Sequence, residues 1–127
     1  MAIFEPAVMK QILGVTCSIL KKNFYYEDES LSFFLNEFTA NLGQELTDFE
    51  MFANESVVAD LHNDKMARFY FTCYFVSAHL REFFIHRLHF SEQELNAFES
   101  VLPKYTGERY EKQQPKHQGT YNRKFFK

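Results

Sequence analysis

Residues 69–76 read FYFTCYFV, and this stretch decides how the chain is expected to fold. It lies inside the longest helical pattern of the sequence, which runs from 65 to about 89. The stretch is apolar on every side, and a helix that is hydrophobic all round is usually central in a bundle or sandwiched against a partner. Thr72 interrupts the apolar run, which is far shorter than the roughly 20 residues that a membrane-spanning helix needs. We therefore predict the central helix of a soluble bundle with no membrane contact.

Helix boundary signals precede this stretch. Glu5-Pro6 predicts the start of a first helix, because proline is well tolerated at the first helical position. Residues 27–29 are all acidic and predict the start of a second helix, where negative charge is favoured by the helix dipole. Gly43 is expected to end that helix as its C′ residue. The order of these signals predicts consecutive helices joined by short connections.

Two capping boxes predict further helix starts. Thr47 and Glu50 are spaced to open a third helix, with a break near Asn54. Ser91 and Glu94 have the same spacing and predict a short last helix. Strands are not expected, because period-two alternation is scarce. The predicted fold class is all-α, a compact bundle of four to five helices over residues 1–102 with a flexible or extended basic tail over residues 103–127.

Charge is divided unevenly between these two parts of the chain. Residues 1–102 carry seven Lys/Arg and fifteen Asp/Glu, a net charge of −8. Residues 103–127 carry seven Lys/Arg against two Asp/Glu, a net charge of +5. An acidic body therefore precedes a basic tail, although the whole chain has a net charge of only −3.

The basic tail is a candidate binding segment. Its basic residues alternate with aromatic rings, which suits single-stranded nucleic acid because cations meet phosphates while rings stack on bases. The same composition fits an arm ordered on protein, either on the acidic body or on a neighbouring subunit, and it also fits a solvated tail. The candidate binding residues are Lys104, Arg109, Tyr110, Lys112, Lys116, Tyr121, Arg123, Lys124, Phe125 and Phe126.

Aromatic residues are unusually frequent. The chain has 16 Phe and 7 Tyr, and we expect some of these rings to lie on a surface that meets another molecule. Homo-oligomerisation would cover such a surface. The sequence therefore predicts a protein partner, with a homo-oligomer as one form of it.

Cysteine content and the N-terminus indicate the compartment. Cys17 and Cys73 are too few for a disulfide framework, so we predict buried free thiols in a reducing environment. The first residues show no basic region followed by an apolar stretch, so no signal peptide is predicted. A cytoplasmic location is the resulting expectation.

Histidines on the long helix are candidate metal ligands. His79, Glu82, His86 and His89 fall within roughly 80° on a helical wheel at ~100° per residue. Imidazole and carboxylate are ligands for zinc and iron. A single helix rarely completes such a site, and no Glu-x-x-His pair of the kind that di-iron bundles use is present. We therefore predict no cofactor and interpret the four as a polar face or a pH-sensitive interface, with a metal site as the alternative.

Residues 81–86 read REFFIH, which resembles the Arg-x4-6-His motif of HEPN domains. HEPN domains are helical bundles of similar size that often act as metal-independent ribonucleases in dimers. The resemblance implies that Arg81 stabilises a phosphate and that His86 performs acid–base chemistry. Glu82 would occupy the polar position that often follows the arginine.

No motif in the sequence is specific enough to define a catalytic activity. There is no glycine loop for phosphate, no Gly-x-Ser-x-Gly elbow and no Cys-x-x-Cys. We predict a non-enzymatic helical interaction protein that binds a larger macromolecular machine as a subunit or an inhibitor, of the kind that a phage or another mobile element encodes. Its target would be a complex that processes nucleic acid, because an acidic face can occupy a site built for nucleic acid. The alternative is an RNA-binding or RNA-cleaving HEPN-like dimer.

Overall fold

Five helices and no strand make up residues 3–99, the part of the chain that the computed structural model describes. This confirms the all-α prediction, whereas the basic tail and its boundary lie outside the described residues. None of the described helices is both long enough and apolar enough to cross a membrane. In chain order the helices are α1 (Pro6–Asn23), α2 (Asp28–Phe52), α3 (Glu55–Asn63), α4 (Lys65–His86) and α5 (Glu92–Glu99).

Helix α4 is the centre of the bundle, as its all-round apolar stretch predicted. It packs against each of the other four helices, and residues 71–76 are all buried. Helix α1 runs parallel to α4, because the Glu5 N–H donates to Thr72 Oγ1 at one end and Phe24 stacks on Phe90 at the other. Helix α2 runs antiparallel to α4, with Phe49 packed on Phe71 near its end. The bundle is thus built around α4.

A polar cluster, here called the Arg68 node, fastens the start of α1 to α4. The Arg68 Nε donates to Glu5 Oε2 over 2.8 Å, and its Nη1 donates to the carbonyls of Leu61 and His62 over 2.9 Å each. The Thr72 hydroxyl accepts from the Glu5 N–H and donates to the Arg68 carbonyl. One guanidinium therefore joins α1, α3 and α4.

The predicted boundary between a second and a third helix at Gly43 and Thr47 is wrong. Helix α2 continues through both residues, and the Thr47 hydroxyl donates to the Gly43 carbonyl instead of capping a new helix. Leu42 and Phe49 are both buried, and their spacing of seven residues keeps one apolar face turned to the core. The predicted break near Asn54 is confirmed, because α2 ends at Phe52 and Asn54 is the N-cap of α3.

Replacing Gly43 with alanine is expected to stabilise the protein by about 0.5–1 kcal/mol, the usual cost of glycine in a helix interior. The position is exposed, and an added Cβ meets nothing within 4 Å. Urea unfolding measures the change, and Gly14→Ala in α1, which is equally open, is the matched control with the same expected sign. At a left-handed C′ residue alanine would destabilise, so a loss of stability would contradict the continuous helix.

Helix α4 ends at His86, earlier than the predicted end near residue 89. The Arg87 and Leu88 N–H groups both donate to the Phe83 carbonyl, and His89 has a left-handed backbone with φ of 58°. The predicted capping box of α5 is confirmed. The Ser91 N–H donates to Glu94 Oε1 over 2.8 Å, and the Glu94 N–H donates to Ser91 Oγ over 3.1 Å.

Candidate functional site

Two similar chain reversals form one end of the bundle. After α1, Tyr25 has a φ of 60° and the Tyr26 N–H donates to the Leu20 carbonyl. After α4, His89 has a φ of 58° and the Phe90 N–H donates to the Phe84 carbonyl. Because α1 and α4 are parallel, both reversals lie at the same end. They turn aromatic side chains back toward the core.

A run of near-parallel rings, here called the aromatic stack, fills this end. Phe90 stacks on Phe24 at 4.9 Å between ring centroids and on Phe84 at 4.8 Å. Phe34 continues the run from Phe84 at 6.1 Å, and Phe38 follows at 5.9 Å. Four segments of the chain meet in this stack, which gives the surface above it a rigid apolar base.

A cleft of about 500 Å³ opens beside the aromatic stack, between the start of α2 and the end of α4. Phe34 and Phe83 are buried at its base, whereas the Phe33 side chain is 67% exposed. The cleft therefore combines a concave apolar base with a largely uncovered aromatic residue. Exposure of so much apolar surface to water is costly. The lining residues of the cleft are Tyr26, Glu29, Ser30, Phe33, Phe34, Glu37, Phe83, Arg87 and Leu88.

The rim of the cleft is acidic. Glu29 and Glu37 both line it, and Arg87, the one lining cation among residues 3–99, donates to Glu37 Oε1 over 3.0 Å. The Arg87 guanidinium also lies 5.5 Å from the centre of the Phe83 ring. Burial, and after it the negative charge of Glu94, raises the pKa of the Tyr26 phenol. The described lining of the cleft therefore combines an apolar base with two carboxylates and one guanidinium.

Neither Phe33 nor the cleft was predicted from the sequence. The apolar stripe of α2 includes Leu31, Phe34 and Phe38, which are all buried. Phe33 lies one position, ~100°, away from Phe34 on the helix, outside that stripe. An aromatic residue off the apolar face of a helix was the available signal.

Arg81 and His86 are both exposed on α4. Five positions at ~100° each leave their side chains ~140° apart, so one chain does not bring them together. The His86 Nε2 lies 3.1 Å from Glu82 Oε1 on the next turn. The structure thus pairs the histidine with the carboxylate rather than with the arginine.

The predicted histidine stripe does not form a continuous face. His79 faces α2, with its side chain 11% exposed and its Nε2 3.6 Å from Glu45 Oε1, whereas Glu82 and His86 are exposed. His89 lies beyond the end of α4, because the helix stops at His86. Within residues 3–99, no group of three or more His, Cys, Asp and Glu side chains could hold a metal ion.

Both thiols are unbridged packing groups. Cys73 is buried, as predicted, but Cys17 is only half-buried. Burial raises the pKa of the Cys73 thiol to about 11 and also raises the pKa of the Cys17 thiol. Both are therefore protonated at neutral pH, and a thiolate nucleophile is not favoured at either position.

The ten tail residues predicted to bind, Lys104 to Phe126, lie outside the described residues. Comparison of the chain with protein-family models, with curated proteins and with solved structures finds no match. The cleft joins concavity, an exposed aromatic residue and two carboxylates in one place.

Proposed function

We propose that this protein is a non-enzymatic helical interaction module, and that the cleft between α2 and α4 is where a protein partner docks. Phe33 carries the proposal, because this residue lines the cleft and is 67% exposed. Aromatic side chains beside a well-packed pocket are the usual hot spots of protein interfaces. The module would act as a subunit or an inhibitor of a larger assembly.

The lining of the cleft supports a partner segment that combines an apolar anchor with basic residues. An apolar or aromatic side chain fits against Phe33 and the buried base formed by Phe34 and Phe83. Lysine or arginine beside that anchor would meet Glu29, and could compete with Arg87 for Glu37. Complementary charge of this kind speeds association and excludes acidic partners.

The test is selection of a displayed random-peptide library on the full-length protein, followed by affinity measurements on two variants. Peptides that combine an aromatic residue with lysine or arginine are expected to be enriched. Phe33→Asp is expected to weaken the best peptide by about 30-fold or more, the effect of losing a hot spot worth about 2 kcal/mol. The binding constants are measured by fluorescence anisotropy.

Met51→Asp is the matched control for this experiment. Met51 lies on the same helix and is 64% exposed, but it does not line the cleft. Its variant is expected to bind the peptide within twofold of the wild type. Equal affinities for the wild type and for Phe33→Asp would overturn the proposal.

A second candidate function is metal-independent RNA cleavage by a HEPN-like dimer. The observation in its favour is the 3.1 Å pair of Glu82 and His86, in which a carboxylate orients an imidazole for acid–base chemistry. Because Arg81 and His86 diverge on one helix, the active site would take these residues from two copies of the chain.

This second candidate predicts that the protein cleaves single-stranded RNA in the presence of a chelator. His86→Ala should then abolish cleavage, because the acid–base group is lost. His62→Ala is the control, since His62 is exposed on α3 and has no part in the pair. Intact RNA with the wild type, or full cleavage by His86→Ala, rejects this candidate.

A further inference from the structure

We propose that residues 121–127 of the same chain, Tyr-Asn-Arg-Lys-Phe-Phe-Lys, occupy the cleft in the free protein and compete with its partner. This inference rests on the proposed function, because it names an internal ligand for the same docking site. The Phe125-Phe126 pair is the anchor, and the neighbouring cations meet the acidic rim. The segment thereby regulates access to the site.

Charge complementarity is the first argument. The segment carries Arg123, Lys124 and Lys127 and no acidic residue. Within the described part of the chain, Glu29, Glu37 and Arg87 are the charged residues that line the cleft, and Arg87 is paired with Glu37. The described lining thus holds two carboxylates and one guanidinium, a net charge of −1 that the three cations of the segment complement.

Apolar complementarity is the second argument. Phe33 is a large uncovered ring beside the buried Phe34 and Phe83. Two adjacent phenylalanines offer the apolar area that would cover it, and aromatic pairs gain stability beyond burial alone. The segment has the composition that the cleft selects in a partner, an aromatic anchor surrounded by cations.

The third argument is that the chain between α5 and the segment is long enough to reach the cleft. Helix α5, which ends at Glu99, packs beside the aromatic stack, with the Phe98 ring 4.5 Å from Phe84. From Glu99 to Tyr121 an extended chain reaches up to ~70 Å, about twice the diameter of a domain of this size. A covalently linked segment meets its site at an effective concentration on the order of 1 mM, so modest affinity is sufficient.

The experiment is paramagnetic relaxation in the full-length chain. A nitroxide on Asn122→Cys is placed in a Cys17→Ser background, where the remaining thiol, Cys73, is buried and has a pKa of about 11. The amides of Phe33 and Leu88 are expected to lose most of their signal intensity. The amide of Met51, about 27 Å from Phe33 along α2, is expected to keep its intensity.

Matched variants test the aromatic contribution and the charge contribution separately. Phe125→Ala with Phe126→Ala is expected to restore at least half of the lost intensity at Phe33. Glu29→Lys should also restore intensity, whereas Glu55→Lys, an exposed glutamate in the first turn of α3, should not. Absent broadening, or equal broadening at Phe33 and Met51, overturns the inference. Broadening in a mixture of isotope-labelled and spin-labelled chains would assign the cleft to a second copy instead.

Peptide affinity distinguishes failure of this inference from failure of the proposed function. Phe125→Ala with Phe126→Ala is expected to tighten the library peptide at least threefold, because the internal competitor is lost. An unchanged affinity in this variant, with Phe33→Asp still weakening the peptide, rejects the internal ligand alone. A Phe33→Asp variant that binds the peptide normally rejects the docking site itself.

Discussion

Replacing Phe34 with alanine is expected to lower the free energy of unfolding by about 3–5 kcal/mol, the usual range for a fully buried phenylalanine. Phe34 is 2% exposed and touches the rings of Phe38, Phe83 and Phe84. Alanine would remove the apolar contacts of the ring and leave a cavity between α2 and α4 that rigid neighbours fill only in part. A loss of this size takes a large share of the stability of a small domain.

Phe33→Ala is the control for this prediction. Both residues are phenylalanines in consecutive positions of α2, but the Phe33 side chain is 67% exposed. Its loss is expected to change the free energy of unfolding by no more than about 1 kcal/mol. Urea titrations followed by far-ultraviolet circular dichroism measure both variants. Equal losses would contradict the orientation of α2 and place Phe33 in the core.

Replacing Arg68 with alanine is expected to cost about 2–4 kcal/mol, toward the range for breaking a buried ion pair. Only 18% of the Arg68 side chain and 25% of the Glu5 side chain are exposed. The substitution would leave the Glu5 carboxylate without its cation and the carbonyls of Leu61 and His62 without their donor. Losing the Arg68 node would therefore loosen α1, α3 and α4 together.

Arg87→Ala is the control for the Arg68 node. Arg87 forms an ion pair with Glu37 that is similar in length at 3.0 Å, but the side chains are 50% and 40% exposed. Exposed pairs contribute about 0–1 kcal/mol, so a small change is expected. Arg68→Lys should recover less than half of the loss, because an ammonium cannot reproduce the forked donor geometry. A cost for Arg68→Ala no larger than that for Arg87→Ala would contradict the structural role of the node.

Local signals were sufficient for most helix starts. Pro6, the acidic residues 27–29 and the Ser91 capping box act within one turn of the helix that they begin, so their effect can be read from neighbouring residues. Gly43 and Thr47 formed an equally plausible local signal and misled the prediction. Burial of Phe49 against Phe71 extended α2 past them, and that contact joins residues far apart in the chain.

The end of α4 is likewise decided by packing contacts that local sequence signals do not show. The helical pattern continues past His86, but the chain reverses so that Phe90 stacks on Phe84. This reversal moved His89 away from the other predicted metal candidates. A helical wheel drawn through residues 79–89 could not show this reversal. The stabilisation that favours it comes from ring packing in the aromatic stack and not from the helix itself.

By itself the sequence determined the all-α class, the central position of α4, the capping box of α5 and the split between an acidic body and a basic tail. These properties depend on composition and on contacts within a few residues. Only the tertiary structure decided where the cleft lies, because Tyr26, Phe33 and Leu88 come from three separate segments. Their meeting depends on the parallel packing of α1 and α4 and the antiparallel packing of α2, which long-range contacts alone determine.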